Sequence, residues 1–394
     1  MQNTTPHSAK DTPRKARIVV LFGGSSPEHD VSVISASQLM DAVDVRRFEV
    51  IAVHMGWDNL FRTGPALRDV RRYRPVPAGL KLVQFGWGDR GAQMVVEGQD
   101  PYPIDCVLPV FHGTYGEDGR VQAYFELLGI PVTGFNALNS ALAMRKDLTK
   151  MVAKLAGVNV LDHVVVRRED AGDSDSFVNA VEAGFGFPVI VKPASLGSSI
   201  GVGLAKNADE LRELVAGVAL QDTHVLIEPQ VQNLQEYNIA VRQVAGKLEF
   251  SAIERPKGAD DLLDFKTKYL PSNGAVKGQS LPSEGMLSLT RDINPDMAEA
   301  EKSTLLGYAQ SVFLGLGGRG APRMDFMMNA QTREIWFNEI NPIPGSYGFF
   351  LWEASRDNPT LFPELVTHLV EEAMKDTLKT FEDPVPQAAH LLPR

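Results

Sequence analysis

Cysteine is almost missing: Cys106 is the only one in 394 residues. One thiol builds neither an intramolecular disulfide framework nor a cysteine-based zinc site, and it suits a reducing, cytoplasmic setting. Long apolar runs are missing too. No stretch has the length needed to cross a bilayer, and "IVVLF" is too short for the apolar core of a secretory signal before it opens into "GGSS". Positive charge is the minority sign, with 39 Lys and Arg against 49 Asp and Glu and a net charge of -10. That balance argues against nucleic acid as a partner, while a local basic patch could still hold phosphates. There is no internal repeat and no low-complexity segment. What remains is 44% hydrophobic, the composition of a globular protein, in a chain too long for one ordinary core.

Strand and helix patterns alternate near the start. "ARIVVLFGGSSPEHDVSVISASQLMDAV" reads as strand, Gly-Ser loop and helix; "FEVIAVHM" and "IDCVLPVFHG" read as further strands, and "RVQAYFELLGI" as a helix. This predicts an N-terminal parallel-sheet, Rossmann-like α/β domain over 17–134, after a flexible polar tail over 1–16. A second region, 135–228, holds "ALNSALAMRKDLTKMVAKLAGV" as one helix, the strand "FPVIVKP", the helix "ADELRELVAGVAL" and the strand "HVLIEPQV", with "DAGDSDS" as polar loop. A third, 229–394, is richer in strands: "EYNIAVRQV", "KLEFSAIER", "RMDFMM" and "EIWFNEI". The irregular stretch at about 255–285 has the length of a lid or binding loop.

"RMDFMMNAQTREIWFNEIN" carries the clearest chemistry. Residues two apart on a strand share a face, so Arg323 groups with Asp325, and Glu339 with Asn341. A hairpin centred near Thr332 places Asp325 opposite Glu339. Two carboxylates and a carboxamide oxygen are hard ligands that suit Mg²⁺, and Arg323 beside a cation calls for phosphates between them. The alternative is a solvated strand face with ordinary ion pairs. "VIVKPASLGSSIGVG" sets Lys192 at a strand end before small residues whose backbone N–H groups could converge on a phosphate. It is neither a Walker A loop nor a dinucleotide fingerprint, and a flexible hairpin is its plainer reading.

Taken in order, "GGSSPEHDVS", "HGTYGEDG", "LGIPVTG", "SALAMRKDLTK", "VKPASLGSSIGV", "KTKYL", "RMDF" and "NEINPIPG" resemble the D-alanine–D-alanine ligases of the ATP-grasp superfamily, from about residue 17 to 355. The resemblance implies three domains, with ATP between the second and third. It makes Lys146 and Lys192 phosphate ligands, with Gly197, Ser198 and Ser199 in the loop above them. Glu228 and the Val231 N–H meet the adenine region, Glu236 the ribose, and Lys268 reaches the phosphates from the lid. Asp325, Glu339 and Asn341 become Mg²⁺ ligands, with Mn²⁺ as a substitute. Glu28 receives the ammonium of the first D-alanine, His112 lies near its carboxylate, and Ser198 bridges Glu28 to Tyr269. Arg323 and the Gly345 N–H stabilise the tetrahedral oxyanion.

The implied reaction activates one D-alanine as an acyl phosphate, which the amine of a second attacks to give D-alanyl-D-alanine for peptidoglycan precursors. A cytoplasmic homodimer with small-molecule substrates, and neither nucleic acid nor membrane as partner, completes the expectation. Three departures stand out. Pro229 replaces the lysine usual after Glu228, "DDLLDFKTKYL" lacks the aromatic opening usual before the lid pair, and Phe350 takes the place of a serine that holds the second substrate. Ser346 and Tyr347 are the nearest replacements, unless "GFFLW" simply starts a core helix. Tyr269 favours an amine as second nucleophile over D-lactate. A different second substrate, another ATP-grasp branch or a non-enzymatic nucleotide binder are the competing readings.

Overall fold

The computed structural model describes residues 14–73, 76–88, 91–197, 199–257 and 291–375, and these form an α/β structure built on three sheets. Ala16–Gly23 is the last strand but one of the first sheet, parallel to Phe48–Met55 on one side and to Cys106–Val110 on the other. Parallel strands buried on both faces read as continuous apolar runs, and Ile18 to Phe22 are all fully buried. Beyond Phe48–Met55 the sheet continues with antiparallel strands, Phe61–Thr63, Lys81–Gly88, Gly91–Val96 and Tyr102–Pro103. The expected parallel sheet is therefore the three-stranded end of a seven-stranded mixed sheet. Within the segment read as tail, Arg14 pairs with Asp105 at 2.6 Å.

The second sheet runs Gly203–Ala205, Val189–Pro193, His224–Pro229, Val164–Arg167, with every neighbour antiparallel. Helices Ser174–Gly184 and Ala208–Ala219 cover it through Phe177, Val181, Leu211 and Val215. The first of these helices begins inside the polar run read as loop. The third sheet centres on Leu234–Val244, Arg323–Asn329 and Ile335–Asn341. Glu254–Pro256 and Arg291–Ile293 pair at its edge, pinned by Arg255–Asp292 and Arg291–Glu254 contacts of 2.6 Å each. The stretch expected to form a lid falls mostly outside the described residues.

Two helices follow from no motif singled out in the sequence. Glu299–Gly315 packs Leu305, Ala309, Val312 and Phe313 on the third sheet. Phe362–Lys375 returns to the first sheet, where Leu365, Val366, Leu369 and Val370 join the core of Ile18, Val20 and Leu108. The segment read as one helix over 137–158 is two, Ala137–Met144 and Lys146–Leu155. The chain breaks at Arg145, which is extended (φ -91°, ψ 102°), and the Lys146 N–H donates to the Ala194 carbonyl at 2.9 Å instead of continuing the helix ladder. That break brings Lys146 against the Gly-Ser loop.

Candidate active site

The hairpin pairs as its spacing predicts. Asp325 lies opposite Glu339 and Arg323 opposite Asn341, while Asn329 Oδ1 closes the turn by accepting from the Gln331 and Thr332 N–H groups. The register slips between Asp325 and Phe326, because Phe326 pairs with Phe337 and leaves Asn338 as an extra residue. A bulge of this kind re-aims side chains, and such features concentrate beside active sites. Without it, Asn338 and Glu339 would point to opposite faces. With it, Asn338 Oδ1 accepts from Lys192 at 3.0 Å and Glu339 lies 3.3 Å from the Lys146 ammonium. Arg323 forks Asp325 through Nε and Nη2 at 2.7 and 2.8 Å, and Asn341 Nδ2 reaches Asp325 at 3.2 Å. Asp325 and Glu339, with the Asn341 carboxamide, offer hard oxygen donors that fit a divalent magnesium-like cation.

Behind the hairpin lies a buried ion cluster that only partly follows the sequence expectation. Glu228, read as an adenine-side residue, bridges two lysines: Lys192 at 2.5 Å and Lys150 at 2.7 Å. Burial alone would raise the Glu228 carboxyl, but the two ammoniums outweigh it and hold it below the usual carboxylate range. Burial lowers the Lys150 ammonium, and Glu228 works against that shift. Lys150 closes the motif "SALAMRKDLTK" but was given no role there, yet it sits four residues after Lys146 on the same helix, a spacing that places both on one face.

The Gly-Ser loop connects this cluster to the N-terminal region. Lys146 Nζ donates to the Leu196 carbonyl at 2.7 Å, and the Ser195 N–H donates to Asp222 at 2.6 Å. Ser199 adopts φ +58°, in the left-handed region. At Gly197 a Cβ would lie 3.4 Å from Glu28 Oε2, so the loop touches the expected substrate carboxylate. Glu28 is buried at the start of helix His29–Ala42, beneath the turn after Cys106–Val110. His112 from that turn is buried, with Nε2 3.0 Å from Ser35 Oγ. Burial pushes its imidazole down to about 4, leaving it neutral at physiological pH.

A second buried carboxylate, Glu117, escaped the sequence reading although it stands in "HGTYGEDG". It accepts from the Gly113 N–H at 2.8 Å and the Ile343 N–H at 3.1 Å, tying the His112 turn to the Pro342–Gly345 turn. Burial raises its carboxyl to about 8, with the nearby Glu28 charge adding to the effect.

The loop after Asn341 turns its side chains inward. Ser346 and Tyr347, the proposed hydroxyl replacements, are both about 1% exposed and turned into the N-terminal region. Ser346 Oγ bonds Gln38 Oε1, and Tyr347 donates its hydroxyl to the Pro109 carbonyl at 2.6 Å. The hydroxyls are already committed, because this loop docks on the first helix and the first sheet. The aromatic run is core: Phe349 stacks on Phe362 at 4.5 Å, and Trp352 lies fully buried under the Arg242 guanidinium. Phe350 is buried beneath Arg291. Val231 is partly exposed just beyond strand His224–Pro229, and Glu236 is exposed on Leu234–Val244, two residues before the Asn238 that pairs with Asp325. Gly345 opens the short turn that carries Ser346. Ser198, Lys268 and Tyr269 lie outside the described residues.

Two sheets meet through a lysine cluster, one bearing a Gly-Ser loop and the other a carboxylate hairpin, the arrangement expected of an ATP-grasp ligase. Comparison with known proteins specifies the family. The D-ala D-ala ligase N-terminus model matches residues 17–135 and the D-ala D-ala ligase C-terminus model residues 152–371. The D-alanine–D-alanine ligase of Acetivibrio thermocellus is 31% identical over 94% of this chain and 99% of its own. That of a Thermoanaerobacter species is 32% identical over 91% and 97%. Among solved structures, the Coxiella burnetii D-alanine–D-alanine ligase superposes with a TM-score of 0.73 at 25% identity, covering 92% of this chain and 94% of its own. The VanG D-Ala:D-Ser ligase of Enterococcus faecalis, 24% identical, shares the fold at a TM-score of 0.74 over 91% and 100%. The chain belongs to the D-alanine–D-alanine ligase family. Among the described residues, no helix is long and apolar enough to cross a membrane.

Proposed function

We propose that the protein joins two molecules of D-alanine into D-alanyl-D-alanine, at the expense of ATP, for peptidoglycan precursors. The observation that carries this reading is one continuous path. Glu28 meets the loop at Gly197, Leu196 of that loop is held by Lys146, and Lys146 meets Glu339, which lies opposite Asp325. An amino-acid ammonium on Glu28 and a nucleotide phosphate on Lys146 would thus share one short loop, as transfer of phosphate to the amino acid's carboxylate requires. Three boundaries, near residues 17, 135 and 229, would divide the chain into a first-substrate domain and two ATP-grasp halves.

In this reading Lys146 and Lys192 place positive charge where the phosphates lie, with the Gly197 and Ser199 N–H groups as further donors. Asp325, Glu339 and Asn341 would hold Mg²⁺, which supplies charge neutralisation and in-line alignment of the phosphates. Arg323, with the Gly345 N–H, faces the developing oxyanion. Ser198, Lys268 and Tyr269 take the lid-side roles of the family, excluding water from an acyl phosphate. Glu228, Val231 and Glu236 line the nucleoside end. The protein would act as a cytoplasmic homodimer.

A second reading keeps the first substrate and changes the second. It is favoured by Phe350 at the place of the family's serine and by the engaged hydroxyls of Ser346 and Tyr347. An ADP-release assay over D- and L-amino acids and D-lactate, with mass spectrometry of products, decides between them. D-alanine alone should release ADP and yield the dipeptide. ADP release that needs a different second substrate supports the alternative, and no release with any amino acid rejects both.

A further inference from the structure

Lys150 touches nothing that would react, yet it is the most deeply buried charge in the cleft. Its ammonium is fully enclosed, 2.7 Å from Glu228 Oε1 and 3.3 Å from the Phe337 carbonyl. The other oxygen of Glu228 meets Lys192, which also donates to Asn338. Four elements converge here: helix Lys146–Leu155, strands Val189–Pro193 and His224–Pro229 of the second sheet, and strand Ile335–Asn341 of the third.

We infer that Lys150 is a positioning residue for ATP, acting through Glu228 to hold the Lys192 ammonium toward the phosphates. The inference rests on reading this cleft as the ATP site. Two ammoniums share one carboxylate, so the Glu228–Lys150–Lys192 set carries one net positive charge. With Lys150 in place, the Glu228 charge is already balanced and Lys192 remains available to a polyanion. Without Lys150, Glu228 and Lys192 would form a closed neutral pair. Buried pairs are strong where water cannot compete, so the whole Glu228 charge would then act on Lys192, already 2.5 Å away, and weaken its attraction for the phosphates. The helix adds geometry to this. Lys146 and Lys150 lie one turn apart, and one grips the Gly-Ser loop while the other grips Glu228. A plain packing role would act whether or not Glu228 carries a charge.

The test is a double-mutant cycle read by calorimetric titration of MgATP in the absence of amino acids. Lys150→Met should weaken MgATP binding about 30-fold, the scale of one lost charge-assisted contact, and change the amino-acid KM by less than about threefold. In a Glu228→Gln background the same substitution should cost less than about threefold, because the carboxylate it works through is gone. Equal losses in both backgrounds overturn the inference. If Lys150→Met alone does not fold, Lys150→Gln, which keeps a polar head beside Glu228, takes its place in the same cycle: a loss that vanishes in the Glu228→Gln background supports the role, and equal losses or no loss in either background reject it. Wild-type protein that binds no MgATP overturns the reading of the cleft itself, a result distinct from binding with additive losses.

Discussion

The two ends of the cleft are built on different foundations. At the proposed phosphate end most of the polar groups stand on strands: Arg323, Asp325, Glu339 and Asn341 on one hairpin, Lys192 and Glu228 on adjacent strands, with Lys146 opening a helix beside them. At the amino-acid end they stand on turns, and those turns are shaped by distant parts of the chain. Ser346 and Tyr347 sit at φ 46° and 55°, in a region unfavourable to residues with a Cβ. They are held there by Ser35, Gln38 and Pro109 of the N-terminal region. Strand-mounted charge is fixed by local geometry and pairing, whereas turn-mounted chemistry depends on docking between regions far apart in sequence. Substitutions at the first end should therefore change chemistry with little effect elsewhere, and those at the second should couple chemistry to stability.

The largest effect is expected at Arg323. Its fork on Asp325 sets it on the hairpin face where the oxyanion is expected. Arg323→Ala should reduce kcat by about 100- to 1,000-fold, the usual cost of an oxyanion donor, while MgATP affinity stays within about threefold. Near-normal turnover would remove Arg323 from the mechanism. Glu339→Gln should follow, raising the Mg²⁺ concentration needed for half-maximal activity about tenfold, because a neutral amide is a weaker ligand for a hard cation. An unchanged metal requirement would place the metal elsewhere and break the strand-mounted half of the comparison.

Gly113→Ala tests the other half. Gly113 has φ +81°, and a Cβ there would fall 2.7 Å from Glu28 Oε2 and 2.6 Å from Ser26 Oγ. The substitution strains the turn and displaces the carboxylate, so the KM for the first amino acid should rise about tenfold or more with MgATP binding unchanged. Loss of both together would mean that the two ends are not separable. Tyr347→Phe should have a smaller and mainly structural effect. It leaves the Pro109 carbonyl without its donor in a buried site, at a cost of about 1–3 kcal/mol, measurable by denaturant unfolding. No loss of stability would show that the loop is not held by this bond.

The same contrast accounts for what could be read beforehand. The Asp325–Glu339 pairing was legible because period-two alternation and a turn centre fix it, and the parallel core was legible because Ile18 to Phe22 form an unbroken apolar run. The Asn338 bulge was not, since nothing in "IWFNEIN" marks an extra residue. Nor was the break at Arg145, which a remote hydrogen bond to Ala194 maintains within a sequence that suits a continuous helix. Lys150 could have been found from its spacing to Lys146, and Glu117 could not, because its burial comes from the Pro342–Gly345 turn packing across it. Helix Phe362–Lys375 has a clear apolar face, but its docking on the first sheet is a long-range event that no local pattern specifies.

Glu117 gives the smallest and most specific prediction. Its folded carboxyl is raised to about 8 by burial and by Glu28, whereas in the unfolded chain it titrates near the ordinary glutamate value of 4.5. Between those values the folded state binds more protons than the unfolded state. The stability this group contributes is therefore present below the unfolded value and is lost as pH rises through the folded one, by at most about 1.4 kcal/mol per pH unit. Glu117→Gln removes the titration, although its amide can no longer accept from both the Gly113 and Ile343 N–H groups. The variant should be less stable than wild type at pH 5, and the gap should narrow or reverse by pH 8.5. Unfolding curves at both pH values measure it. A gap that stays constant would mean that Glu117 is already ionised in the folded protein, with the turn at the amino-acid end held by a carboxylate rather than by a neutral acid.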